Sequence, residues 1–119
     1  MLVAVREATW AALADPNRRA VLGLLRERPR AVGELVGALR LTQPATSKHL
    51  RVLREAGLVR VVPEAQRRIY ALDPAPLAEL DAWLAPYRRL WEERLDRLEA
   101  YLHTLQAAEK RTTRKTRTR

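Results

Sequence analysis

Hydrophobic residues recur at helical spacing along most of the chain, and the segment 41–57 is the clearest case. Thr42 can accept a free backbone N–H of the first turn, and Gly57 suits the left-handed residue that ends a helix. This segment therefore predicts a capped amphipathic helix. Its inward stripe consists of Thr46, Leu50 and Leu53.

The opposite face of this helix carries hydrogen-bond donors and no carboxylate before Glu55. Base edges in the major groove of DNA offer acceptors, and phosphates flank them, so such a face suits the groove. We interpret the segment as a recognition helix, with a solvated surface helix as the alternative. The donors are Gln43, Ser47, Lys48, Arg51 and Arg54.

Three shorter helices are predicted ahead of the recognition helix. Apolar spacing indicates the first over residues 1–13. Asp15 as N-cap and Pro16 at the first helical position begin the second. Residues 31–40 predict a short third helix, and its tight link to the recognition helix makes a helix-turn-helix.

After the recognition helix the hydrophobic period changes from 3.6 to 2. Residues 58–62 and 68–72 predict two strands joined by residues 63–67, with Arg67 and Arg68 at the tip of the hairpin. Behind a recognition helix such a hairpin is a wing, whose arginines can enter a minor groove or bind phosphates. A solvated hairpin tip is the alternative.

From Leu77 onward the apolar spacing alternates between three and four residues, close to a coiled-coil seam with a stutter. Pro86 lies inside this run and is expected to kink or split the helix. One small domain cannot cover so long a seam, so we expect a second copy of the chain to bury it, with packing inside the monomer as the alternative. The expected dimerisation residues are Trp10, Leu84, Tyr87, Trp91, Leu95, Leu98, Leu102 and Leu105.

The net charge of +9 is concentrated at the end of the chain. Residues 110–119 hold six basic residues, no acid and no apolar residue, so we expect them to be disordered until bound and to add non-specific affinity for polyanions. The 119 residues suit one domain with an extension. We divide them into a DNA-binding domain (1–75), dimerisation helices (76–109) and a basic tail (110–119).

The absence of cysteine excludes disulfides and thiolate chemistry. Two histidines and no glycine-rich phosphate loop give no catalytic constellation, so we expect neither an enzyme nor a cofactor. No apolar run approaches the roughly 18 residues that a membrane span needs, and we expect a cytoplasmic protein.

The order of these elements resembles the ArsR-type winged helix-turn-helix repressors. The resemblance runs from about Leu13 to Leu72 and continues more loosely through the last helix. It is carried by ALADPNRRAVL (12–22), VGEL (32–35), QPATSKHLRVLREAGLV (43–59) and RRIY (67–70). It implies a mainly α fold with a small β-hairpin and long C-terminal dimerisation helices. It also implies a homodimeric bacterial or archaeal repressor that binds an inverted-repeat operator in double-stranded DNA near its own promoter.

The same resemblance implies which side chains meet DNA. Gln43, Pro44, Ser47 and Lys48 would face the duplex, with Arg51 nearby. His49 would lie at the edge, where it either contacts DNA or packs inside the motif. The full expected set is Gln43, Pro44, Thr46, Ser47, Lys48, His49, Arg51, Arg54, Arg67 and Arg68.

The chain departs from the metal-sensing members of that family. Their Cys-x-Cys-Asp pattern is replaced here by residues 36–39 (VGAL), and the last helix offers only His103 with Glu99 one turn before it. We interpret this pair as a surface ion pair and expect no metal. A protein-interaction module and a non-specific nucleic-acid-binding protein remain the competing functions.

Overall fold

The structure, a computed structural model, describes the backbone of residues 4–117 and the side chains of residues 4–113. Its strands form one antiparallel sheet in the order β1-β3-β2. The described elements are α1 (Glu7–Leu13), α2 (Pro16–Glu27), β1 (Arg30–Ala31), α3 (Val32–Leu39), α4 (Gln43–Glu55), β2 (Val59–Glu64), β3 (Arg67–Leu72) and α5 (Ala75–Arg117). The mainly helical fold with a small sheet confirms the predicted winged helix-turn-helix.

The first helix is shorter than predicted, because it begins at Glu7 and residues 4–6 precede it without helical structure. Predicted residues 1–3 of that helix lie outside the described part. The extended backbone of Arg6 lets its guanidinium donate to the carbonyl of Ala56, 2.9 Å away at the end of α4. Arg6 is therefore not helical, and its side chain links the start of α1 to the end of α4.

The start of α2 is capped as the sequence predicts. The Asp15 carboxylate accepts hydrogen bonds from the backbone N–H groups of Asn17 at 2.8 Å and Arg18 at 3.2 Å, and Pro16 is the first helical residue. The Arg18 side chain in turn donates to the carbonyl of Ala12 at 2.8 Å, which satisfies an acceptor at the end of α1.

A third strand was not predicted. Arg30 and Ala31 pair with Tyr70 and Ile69 of β3, so the expected hairpin is part of a three-stranded sheet, and α3 starts at Val32 instead of residue 31. The residue before a proline favours an extended backbone, which directs the chain after α2 toward the edge of the sheet. A strand of two residues leaves too short a pattern to detect.

Three residues, Arg40 to Thr42, join α3 to α4. Arg40 takes the left-handed conformation with φ of 56°, which turns the chain sharply. The Thr42 hydroxyl accepts the backbone N–H of Ala45 at 3.2 Å, confirming the predicted N-cap.

The wing strands are longer than predicted and the link between them is shorter. Glu64 at the end of β2 lies opposite Arg67 at the start of β3, leaving only Ala65 and Gln66 as the turn. Ala65 has a φ of 54°, a conformation more typical of glycine. The expected five-residue link was wrong because no glycine marks the turn.

The hydrophobic core is formed by the inward faces of the helices and the sheet. Leu50 and Leu53 of α4 are fully buried there, as their spacing predicts. The same buried cluster contains Val21, Leu22, Leu25, Leu35, Leu58, Val59 and Tyr70. The recognition helix is therefore fixed by its apolar side.

The last helix, α5, runs without interruption from Ala75 to Arg117. Pro86 was expected to kink or split this helix. A split is wrong, because helical residues continue on both sides of the proline, and a kink stays a prediction. The helix includes residues 110–117 of the basic tail, and the expected disorder of residues 110–119 before binding stays a prediction.

The chain forms two units, the first ending at Trp83 and the second beginning at Leu84. In the first unit, Leu77 near the start of α5 packs against the core. The first turns of the long helix therefore belong to the DNA-binding unit.

Replacing Gly57 by Ala should lower the free energy of unfolding by about 1–2 kcal/mol. Gly57 has a φ of 76°, and an added Cβ would lie 3.0 Å from the Arg6 guanidinium. The matched variant Gly23→Ala adds a Cβ inside α2 with no heavy atom within 4 Å, and should raise that free energy by about 0.5–1 kcal/mol. Urea unfolding measures both; the same sign for the two variants would contradict this account.

Candidate nucleic-acid interface

Helix α4 presents two chemically distinct faces. Leu50 and Leu53 on the inner face have no exposed surface. The exposed residues on the outer face are Gln43, Pro44, Ser47, Lys48, Arg51 and Arg54. The burial therefore confirms the predicted separation of an inner stripe from an outer donor face.

Thr46 belongs to the inner face. Its side chain is fully buried, and its hydroxyl donates to the carbonyl of Thr42 at 2.9 Å. The expectation that Thr46 contacts DNA is therefore wrong, because its side chain is buried and its hydroxyl already donates to the carbonyl of the N-cap residue.

His49 lies between the two faces and is half-buried. It lies close enough to Asp15, the N-cap of α2, to interact with it electrostatically. Burial raises the pKa of Asp15, but hydrogen bonds from the backbone of Arg18 and Asn17, with the charges of His49 and Arg18, outweigh it and lower the pKa. The two alternatives for His49, DNA contact and packing, both stay predictions.

The wing places its two arginines in different surroundings. Arg67 is 65% exposed, with a guanidinium nitrogen 3.6 Å from a carboxylate oxygen of Glu34 near the start of α3. Arg68 is exposed on β3. Sequence reasoning missed the contact with Glu34, because the two residues meet only through the fold of the sheet.

Arg40 was also missed as a candidate phosphate contact. It is exposed and lies in the turn directly before α4, beside the positive end of that helix. Its position between the helices of a helix-turn-helix motif is the signal that points to it.

The second unit exposes a long apolar face. Trp91 is 65% exposed and Leu95 62% exposed, and Leu84 is half-buried. The other exposed members of the predicted seam are Tyr87, Leu98, Leu102 and Leu105. Within the described residues this is the largest run of exposed large hydrophobic side chains, and it matches the predicted seam.

Trp10 has an aromatic neighbour within its own chain. Its ring meets that of Trp83 edge to face, with centroids 5.1 Å apart and planes at 79°. Trp10 is half-buried, whereas Trp83 is 36% exposed. This contact places Trp10 beside the start of α5, and its role in dimerisation stays a prediction.

The described residues hold no group of three or more histidine, cysteine or acidic side chains that would suit a metal ion. His103 and Glu99 lie 3.7 Å apart, and both are largely exposed. The expectation that no metal is sensed stays a prediction. Among the helices that the structure describes, none is both long and apolar enough to cross a membrane.

The sequence model of the family described as "Bacterial regulatory protein, arsR family" matches residues 15–61. The chain is 49% identical over 74 residues to the HTH-type transcriptional regulator Rv2034 of Mycobacterium tuberculosis, covering 62% of this chain and 69% of that protein. It is 42% identical over 69 residues to the HTH-type transcriptional repressor SmtB of the same organism. That match covers 58% of this chain and about half (51%) of SmtB.

A solved structure has the same fold. It is the homodimeric winged helix-turn-helix DNA-binding domain of Mb0332 from Mycobacterium bovis, described as a possible ArsR-family transcriptional regulator. The TM-score is 0.57 at 28% identity, over 74% of this chain and 79% of that one. The family-model match over residues 15–61 includes helix α4.

Replacing Thr46 by Val should lower the free energy of unfolding by about 1 kcal/mol, because it removes a buried hydroxyl with a hydrogen-bond partner. The same substitution at Thr9 should raise it by a similar amount, since the fully buried Thr9 hydroxyl has no partner among the described residues. Urea unfolding of both variants tests this contrast. A Thr9→Val variant as unstable as Thr46→Val would contradict it.

Proposed function

The chain belongs to the ArsR family of bacterial regulatory proteins, and from that premise we propose that it is a sequence-specific DNA-binding repressor acting as a homodimer. The observation that carries the proposal is the exposed donor face of α4, set opposite fully buried leucines. A helix held by its apolar side presents those donors in a fixed orientation, as a major groove requires.

Each side chain of the donor face has a distinct role in this proposal. Gln43 and Ser47, at the start of α4, read base edges, and a good base contact contributes roughly 1–3 kcal/mol of discrimination. Lys48, Arg51 and Arg54 bind phosphates and supply affinity through counterion release. Arg68 on the wing adds a phosphate or minor-groove contact.

The second copy of the chain covers the apolar face of α5 in this proposal. Exposed aromatic and leucine side chains on one helix face support it, because a single exposed surface of this kind is rare in a monomer. Two recognition helices would then enter successive major grooves of an inverted repeat, about 34 Å apart. The dimeric state of the Mb0332 domain supports the same arrangement.

Repression follows if the bound dimer blocks access of RNA polymerase to a promoter. The similarity to a protein named as a repressor supports this direction of regulation. We further propose that a bound metal is not required, since the one histidine of α5, His103, is exposed and pairs with a single exposed carboxylate, Glu99.

A non-specific nucleic-acid-binding protein is the second candidate, favoured by the six basic residues in positions 110–119. The two functions differ in their response to competitor DNA. A specific repressor retains its operator in a large excess of unrelated duplex, whereas a non-specific protein releases it.

Replacing Ser47 and Lys48 together by Ala should weaken binding to DNA from the region upstream of its own gene by at least about tenfold, because a base contact and a phosphate contact are lost. Gel retention measures the affinity, and circular dichroism confirms folding. Arg26→Ala, which removes an exposed basic side chain from α2, is the control and should bind like the wild type. Unchanged retention by the double variant would show that another face reads the DNA.

Deleting residues 110–119 should reduce the dependence of affinity on salt, because each lost phosphate contact lowers the slope of log K against log salt by about 0.9. The apolar seam ends at Leu105, so the dimer should persist. Titrations at several salt concentrations compare the deletion with the full chain. Equal slopes would mean that the tail contributes nothing to binding.

A further inference from the structure

Glu34 lies near the start of α3. It is the third residue of that helix, and one carboxylate oxygen accepts the backbone N–H of Ala31 at 3.5 Å. The side chain is 35% exposed. This long hydrogen bond links the carboxylate back to the residue before the helix.

Arg28, just after α2, binds the other oxygen of the same carboxylate. Its guanidinium lies 2.8 Å away, in the range of a strong charge-assisted hydrogen bond. The hydrogen bond from Arg28 lowers the pKa of Glu34, more than desolvation raises it. Glu34 is therefore an anion at neutral pH, placed between α2 and the wing.

Arg67 makes the weaker second contact with this anion. Its distance of 3.6 Å exceeds that of Arg28 by almost an ångström, and its side chain stays largely exposed. Arg67 is also the first residue of β3 after the wing turn, where it can reach a ligand outside the protein. A loose, solvated ion pair of this kind contributes little and exchanges readily.

We propose that Glu34 is a positioning residue for DNA binding, which holds the wing arginine Arg67 in the free protein and releases it to a DNA phosphate. This inference rests on the proposed function. Carboxylate and phosphate compete for one guanidinium, so a phosphate gains less affinity from Arg67 while Glu34 holds it. Glu34 thereby lowers the affinity for every duplex that Arg67 contacts.

Replacing Glu34 by Gln tests this exchange, since the amide keeps the size of the side chain and can still accept the Ala31 N–H. Binding to an unrelated duplex should tighten about two- to fivefold, the range expected for removing one competing surface ion pair. Its salt dependence should become steeper. In an Arg67→Ala background, Glu34→Gln should no longer tighten binding, because Arg67 carries the gain in affinity.

The matched control is Glu27→Gln. It removes the same charge from a nearby carboxylate that is paired with Arg30 at 2.8 Å and has no ion pair with the wing among the described residues. Fluorescence anisotropy with labelled duplex at three salt concentrations compares all variants. A gain as large in Glu27→Gln, or one that survives Arg67→Ala, would overturn the proposal in favour of a general charge effect.

A second measurement, of side-chain N–H signals by NMR, uses the wild-type protein. In the wild type, the side-chain N–H signal of Arg67 should shift on addition of duplex while that of Arg28 stays in place. If the protein binds its operator while the Arg67 signal does not move, the proposed role of Glu34 is overturned and the proposed function stands. A wild-type protein that binds no duplex would overturn the proposed function as well.

Discussion

Burial of one side of α4 is the constraint on which the rest of the structure depends. Leu50 and Leu53 are fully buried, in one cluster with Leu35 of α3 and with Leu58 and Val59, which follow α4. Burying a leucine stabilises a fold by about 1.5–3 kcal/mol, whereas a solvated lysine or serine on the other side needs no partner. A rotation by one residue, about 100°, would expose these leucines and bury the donors. The core, rather than DNA, therefore sets the orientation of the outer face.

Features that depend on local chemistry could be predicted from the sequence. Asp15 and Thr42 were recognised as N-caps because an oxygen side chain ahead of a helix has one common use. Gly57 was recognised because its left-handed conformation suits glycine. The strand β1 was missed because it has two residues and depends on β3, and the wing turn was misplaced because Ala65 takes the position that glycine usually marks.

The candidate interface shows the same division. Helical spacing alone separates the exposed donors of α4 from its buried stripe. The same spacing places Thr46 in the buried stripe, which is inconsistent with the expectation that Thr46 contacts DNA. The contact between Glu34 and Arg67 could not be read, since it arises from the pairing of strands that bring the wing back to α3. In α5 the charge run of residues 110–117 suggested disorder before binding, which stays a prediction, although the helix includes these residues.

In the proposed complex two copies of the chain, joined through α5, present two α4 helices to one duplex. Sedimentation velocity of the full chain at micromolar concentration, alone and with a labelled duplex from the region upstream of its own gene, tests it most directly. We predict a dimer in both samples and two chains on each duplex. A single chain in both samples, with no change on adding the duplex, would contradict the account.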